Sequence, residues 1–269
     1  MTHDKRHDEV FQCIVESYID TAAPVGSSAV SKRYSGNLSP ATIRNVMADL
    51  EEAGLIEQPH TSAGRVPTDK GYRYYVNTLM PQAEAPARDL AGVVEEALRE
   101  IRNIEDAAER MSRLIADLTH NAGLLYLRGV RRISYFDELR RQAQEMAEHL
   151  RVEANDRLYL DGTRNIFEQP EFQDADRIRG LIRALELKAE VVDFLQKGLQ
   201  GPNVRIYIGR EVPFAELQGV SVVVKEYSID GVPIGSLGVI GPTRMRYDRV
   251  ASVVDQMADA MTEFLNDDL

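Results

Sequence analysis

The sequence predicts an α+β protein in which a helical N-terminal part precedes an antiparallel sheet flanked by helices. Three observations carry that reading. The first 80 residues hold helical spacings punctuated by capping signals. From Leu90 to Leu118, apolar residues recur in alternating steps of four and three. β-Branched runs then lie on either side of Asp230-Gly231, with helical stretches before and after them, an order typical of α+β folds. The expected division is residues 1–80, then a linker and long heptad helix over 81–120, then a second folded unit over 121–269. The first boundary rests on MPQAEAPARD, whose Pro81 and Pro86 each disfavour helix on their N-terminal side.

Within the first unit, Val10, Ile14, Val15, Tyr18 and Ile19 form the buried stripe of an opening helix that stops before Ala23-Pro24. Cys13 lies on that helix near Glu16 and Asp20, a setting for packing rather than thiol chemistry. Ser27 is placed to cap a short helix through Tyr34, and SGNLS makes a turn. Ser39-Pro40 then opens a third helix with a Ser cap and Pro at the first helical position. Gly54 ends it in the left-handed conformation. Helix, short helix, turn and longer helix have the proportions of a helix-turn-helix.

Each residue of that third helix advances about 100° around the axis. Ile43, Val46, Met47 and Leu50 converge on one side. Opposite lie Ala41, Asn45 and Ala48, flanked by Thr42 and Arg44. Small residues let a helix approach a major-groove floor, Asn pairs in two-point fashion with adenine, and Arg does so with guanine or holds a phosphate. A solvated helix face is the plainer alternative.

Leu55–Gln58 then reads as a strand, Pro59–Arg65 as a loop, Val66-Pro67 as a return, and Thr68-Asp69 as the start of a helix carrying Tyr72, Tyr74, Tyr75 and Val76. A helix-turn-helix followed by such a loop is a winged helix. Arg65 near the tip would enter a minor groove or hold a phosphate, with Thr61, Ser62 and the Gly64 amide as further donors. The competing role for Arg65 is an ion pair with Asp69 or Glu57. His60 has no second ligand nearby and reads as a loop hydrogen-bonding group or phosphate contact.

Charge supports a local interface only. The 269 residues carry 32 Lys and Arg against 43 Asp and Glu, a net charge of −11, which argues against coating nucleic acid everywhere. Yet no acidic residue occurs between Thr21 and Ala48, where Lys32, Arg33 and Arg44 stand, and His60–Arg73 sets Arg65, Lys70 and Arg73 against Asp69 alone. Hydrophobic residues at 43% and charged residues at 28% suit a globular protein with a real core. The start MTHDKRHDEV is too charged for a secretory signal, no run is long enough for a membrane span, and a single cysteine suits a reducing compartment, so a cytoplasmic location is expected.

In the rest of the chain, the Leu90–Leu118 seam fits either a helix lying on its own domain or a dimer contact through Val94, Ile101, Ile104, Met111 and Ile115. Helices are also expected over 138–150 and 174–199, the latter with Ile178, Leu181, Ile182, Leu185, Val192, Leu195 and Leu199 on one face. VRIYIG, SVVVKEYSI and VPIGSLGVIG read as strands, with Asp230-Gly231 as a two-residue hairpin turn. A closing helix from Asp248 buries Val250, Val253, Val254, Met257, Met261 and Leu265.

The runs PVGSSAV and SPATIRNVMADLEEAGLIEQPHTSAGRVPTDKGYRYYV resemble the N-terminal domain of the HrcA-type heat-inducible transcription repressors of bacteria. LYLDG, PEF, IYIGRE and YSIDGVPIGSLGVIGPTRMRYDRV extend the resemblance over most of the chain. It implies a homodimeric repressor binding an inverted-repeat operator upstream of chaperone operons, with activity dependent on a GroEL-type chaperonin. It implies a GAF-like C-terminal domain with a small inserted dimerisation domain. By position, Thr42, Arg44 and Asn45 would read bases, while Ser27, Ser28, Lys32, Arg65 and Lys70 would touch the backbone. This chain departs from the pattern between Leu118 and Arg157, where about 40 residues leave the insertion shortened or absent and make the Leu90–Leu118 seam a candidate replacement contact.

No enzyme, metal or cofactor is expected. His3, His7, His60, His120 and His149 have no spacing that builds a triad or a metal site. Gly235, Gly238 and Gly241 lie in a strand run with no following helix, so turns and bulges are expected rather than a phosphate loop. Thr243–Arg246 reads as a strand-to-helix connection. The rival function is a metabolite-sensing winged-helix regulator whose GAF-like half binds a ligand.

Overall fold

A computed structural model describes residues 5–36, 38–61, 63–80, 90–101, 103–128, 157–172, 191–195, 203–213 and 219–267. Ser62, the linker over 81–89, the helix expected over 138–150 and most of that over 174–199 lie outside the described residues.

The chain opens with α1 (Lys5–Thr21), α2 (Ser27–Arg33) and α3 (Pro40–Glu52). Val10, Phe11, Ile14 and Val15 of α1 meet Val30 of α2 and Ile43, Val46, Met47 and Leu50 of α3 in one buried cluster. Tyr18 is only half-buried, and Phe11, which the spacing does not assign to the stripe, is fully buried. Strands β1 (Ile56–Glu57) and β2 (Val66–Pro67) form a short antiparallel pair, and an isolated bridge joins Val25 to Arg65. Helix α4 (Asp69–Tyr74) follows, started by Thr68, whose hydroxyl accepts the Gly71 amide at 3.0 Å. It runs on into a π-helical turn, Tyr75–Leu79. Gly71 is required there because a Cβ would strike the Leu55 carbonyl.

The second part is built on five antiparallel strands in the order β4-β3-β7-β6-β5: β3 (Ala122–Leu127), β4 (Arg157–Asp161), β5 (Arg205–Ile208), β6 (Val220–Ile229) and β7 (Val232–Pro242). Asp230 and Gly231, both at positive φ, close the β6–β7 hairpin as expected. Alternation sends Leu125, Val223, Leu237 and Val239 to one face and Leu124, Val222, Val224 and Ile240 to the other. The first face is covered by α6 (Ile104–Thr119) and α8 (Tyr247–Asp267), on which α5 (Leu90–Leu98) packs. Against the second pack α7 (Thr163–Phe167), Phe172 and helical residues 191–195, with Val191 and Leu195 buried. Gly235, Gly238 and Gly241 are ladder positions of β7 rather than turns.

The expectation of one long heptad helix is overturned. The heptad run is two helices, not one, because Asn103 starts a new helix by accepting the Asp106 amide at 2.8 Å. Both helices rest on α8. Val94, Met111 and Ile115 are at most 2% exposed inside this chain's own core, and Ile101 and Ile104 pack against it. The seam is therefore internal to the protomer. Its period survives the break because both segments bury the same stripe on one surface.

Candidate nucleic-acid interface

The N-terminal half of α3 is presented by local chemistry. The Ser39 hydroxyl accepts the Thr42 amide at 3.1 Å, and Pro40 supplies a first residue whose missing N–H would have had no partner in the helix. At the other end Gly54 (φ +70) donates to Glu51 O and Leu55 to Leu50 O, a Schellman closure that seats buried Leu55 against buried Leu50. Ile43, Val46, Met47 and Leu50 hold the inner face. Ala41, Arg44, Asn45 and Ala48 are exposed on the outer one, and among the described residues Arg44 and Asn45 have no side-chain partner. Ser31 Oγ donates to Leu38 O at 2.8 Å, which fixes the α2–α3 turn.

The other expected contacts divide. Ser28, Lys32 and Thr61 are exposed. Ser27 is the first helical residue of α2 rather than its cap; Gly26 takes the cap position, without a side-chain hydrogen bond. Thr42 is committed to the cap, its hydroxyl 3.0 Å from that of Ser39. Arg65 stands beside β2, not at the loop tip, and its guanidinium lies 2.8 Å from Glu51 on α3, with neither Asp69 nor Glu57 as partner. Lys70 donates to Ala53 O at 2.7 Å, a cation at the carboxyl end of α3 where the helix dipole favours it. Both basic groups thus brace the far end of α3. Cys13 is half-buried, and burial with the nearby Glu16 pushes its thiol pKa up, as suits packing.

Spacing could not reveal the contacts that tie this region to the sheet domain. Arg73 on α4 holds both oxygens of Glu211, with Nε 2.8 Å from Oε1, and donates to Ile206 O at 2.5 Å. Burial raises the Glu211 pKa, but hydrogen bonds from Arg73 and the Ile208 amide outweigh it and hold the carboxyl below its ordinary value. Asp69 accepts the Arg210 amide at 3.1 Å, close against Gly209, where φ is +52 and a Cβ would strike that carboxylate. Arg244 pairs with Glu171, takes Gln169 Oε1 at 2.7 Å and reaches Ile19 O of α1 at 3.1 Å. Asp20 receives Arg33 at 2.9 Å and Arg246 at 3.4 Å. Thr243–Arg246 is thus an inter-domain connection as well as a strand-to-helix one. His7, also unforeseen, joins α1 to Asp49 of α3 at 3.1 Å.

These ties link motifs far apart in the chain: GYR with IYIGRE, and PEF with GPTRMR. The profile of the HrcA protein C terminal domain matches residues 94–251, more than half of the sequence. The chain belongs to the HrcA family. A relative named heat-inducible transcription repressor HrcA from Desulfitobacterium hafniense is 32% identical, with 98% of each chain covered. One of the same name from Moorella thermoacetica is 33% identical, again with 98% of each covered. The first alignment runs over 342 positions against 269 residues here, so that HrcA protein contains segments without counterpart in this chain. A crystal structure described as a hypothetical protein superposes on this chain with a TM-score of 0.72 at 23% identity, covering 99% of both, and so shares its mixed helical and antiparallel-sheet fold. Among the described residues no helix is long and apolar enough to cross a membrane.

Proposed function

We propose that this HrcA-family chain is a sequence-specific repressor of heat-shock chaperone operons. It binds an inverted-repeat operator as a homodimer, is released on heat stress, and recovers activity with the help of a GroEL-type chaperonin. The observation that carries the DNA-binding part is the outward face of α3. Arg44 and Asn45 stand exposed and side by side between Ala41 and Ala48, on a helix whose other face is buried and whose two ends are capped. Small flanking residues suit close approach to base edges, and these two side chains are the types that pair with guanine and adenine.

Residues 1–80 act as a winged helix, with Ser27, Ser28, Lys32 and Thr61 meeting phosphates beside the groove. Residues 121–269, together with α5 and α6, form the GAF-like regulatory body with a reduced insertion, in line with the segments that the longer relative has in excess. Because the Leu90–Leu118 stripe is buried within the protomer, the homodimer uses another surface. The chain works in the cytoplasm as a binding protein, without catalysis or a cofactor.

The test is a gel-shift titration of an inverted repeat from upstream of a chaperone operon, at several salt concentrations, with protein kept cool or heated and with chaperonin present or absent. Specific retardation that heating abolishes and chaperonin restores is expected. Equal affinity for scrambled duplex would overturn the repressor reading, and a response to small metabolites instead of chaperonin would favour a ligand-sensing regulator.

A further inference from the structure

We infer that Arg73 and Arg244 are positioning residues that fix the bearing of α3 relative to the regulatory sheet, and thereby set the half-site spacing the dimer accepts. The inference rests on the reading of the chain as a dimeric operator binder.

The two arginines grip the N-terminal unit at separate points. Arg244 and Glu171 are each only 14% exposed at the side chain, and the same guanidinium reaches Gln169 and the Ile19 carbonyl in the last turn of α1. Arg73 leaves from α4 and meets Glu211 and the Ile206 carbonyl beside β5. A rigid planar fork with several acceptors fixes an angle as well as a distance, which a lysine does not. Between the grips, Tyr72 and Tyr247 meet edge to face with ring centroids 6.0 Å apart. Such apolar contact gives adhesion with little direction.

Fixing α1 and α4 fixes α3. Helix α3 shares its core with α1, is tied to it through His7 and Asp49, and is braced against the start of α4 by Lys70. In a dimer the separation and relative rotation of two such helices follow from this bearing. A second half-site adds affinity only when the geometry allows both to be engaged.

The experiment uses full-length protein. Wild-type protein selects its preferred inverted repeat from random duplexes. Affinity is then measured for that duplex, for one whose spacer is lengthened by about half a helical turn, roughly 5 base pairs, and for a single half-site. Wild-type protein should favour its own spacing by on the order of 100-fold. The Arg73→Ala, Arg244→Ala double variant should keep half-site affinity within about twofold while its spacing preference falls below about tenfold. If that variant does not fold, as judged by circular dichroism, Arg73→Lys with Arg244→Lys keeps the charges but loses the forks and should also relax the preference. An unchanged spacing preference in a folded variant overturns the inference, as does a parallel loss of half-site affinity, which would indicate general destabilisation. Failure of wild-type protein to select any inverted repeat overturns the repressor reading itself and this inference with it.

Discussion

The Ser39 side-chain oxygen accepts the Thr42 amide at 3.1 Å, and the two hydroxyls lie 3.0 Å apart. This pair holds the first turn of α3, the turn that precedes Arg44 and Asn45. Removing the hydroxyl leaves the Thr42 N–H without that acceptor. Ser39→Ala should therefore cost about 1 kcal/mol of stability, measured by denaturant unfolding. It should also lower operator affinity. Unchanged stability would mean that Pro40 alone suffices to start the helix.

Arg65 is engaged with Glu51, and that pair predicts a gain of function. Glu51→Gln removes the acidic partner and leaves a cation beside the loop that follows β1. Affinity for arbitrary duplex should then rise, and the slope of log affinity against log salt should steepen by about one if a phosphate takes the place of Glu51. The slope of salt titrations is the measurement. An unaltered slope would place Arg65 outside the DNA interface and leave it as a brace of α3.

The buried position of the heptad stripe decides another outcome. Met111 and Ile115 are fully buried on the inner face of α6, so Met111→Ala should destabilise the regulatory body by about 2–5 kcal/mol. Ile101→Asp with Ile104→Asp should lower the melting temperature without dissociating the dimer. Sedimentation of this pair checks it: a monomer that remains folded would return the seam to the subunit interface.

Alkaline titration bears on the tyrosines around α4. Burial, then the Asp8 hydrogen bond, raise the Tyr74 pKa to about 12; burial, then the charge of Glu16, raise that of Tyr75 to about 12. Unfolded tyrosines ionise near 10, so between about pH 10 and 12 the unfolded state has lost protons that the folded state still binds. Stability must fall as pH rises across that window, and is unaffected by these groups below it. Tyrosinate absorbance and circular dichroism should change together. Ionisation of these residues near pH 10 with the fold intact would contradict their burial.

The elements legible in the sequence are those governed by neighbours in the chain. Ser39-Pro40 and Gly54 bound α3 because cap chemistry is local, and Asp230-Gly231 makes its hairpin because both residues tolerate positive φ. The outer face of α3 was equally legible from angular spacing. The break before α6 was not, since the apolar period runs through it; the side chain of Asn103, three residues before Asp106, was the signal. The partners of the basic residues are not legible for a different reason. Arg65 and Glu51 are 14 residues apart, Arg244 and Glu171 are 73 apart, and Arg73 and Glu211 are 138 apart. No periodicity connects such partners, so a basic residue read alone looks available when the fold has already engaged it.

In the proposed function, α3 reads base sequence through Asn45 and Arg44. The most direct measurement is the ratio of operator to random-duplex affinity for wild-type protein and for Asn45→Ala. That side chain is exposed, so the fold should be unaffected. The ratio should fall by about 1–3 kcal/mol, the worth of one lost two-point base contact, while random-duplex affinity stays the same. An unchanged ratio, with operator binding intact, would contradict it.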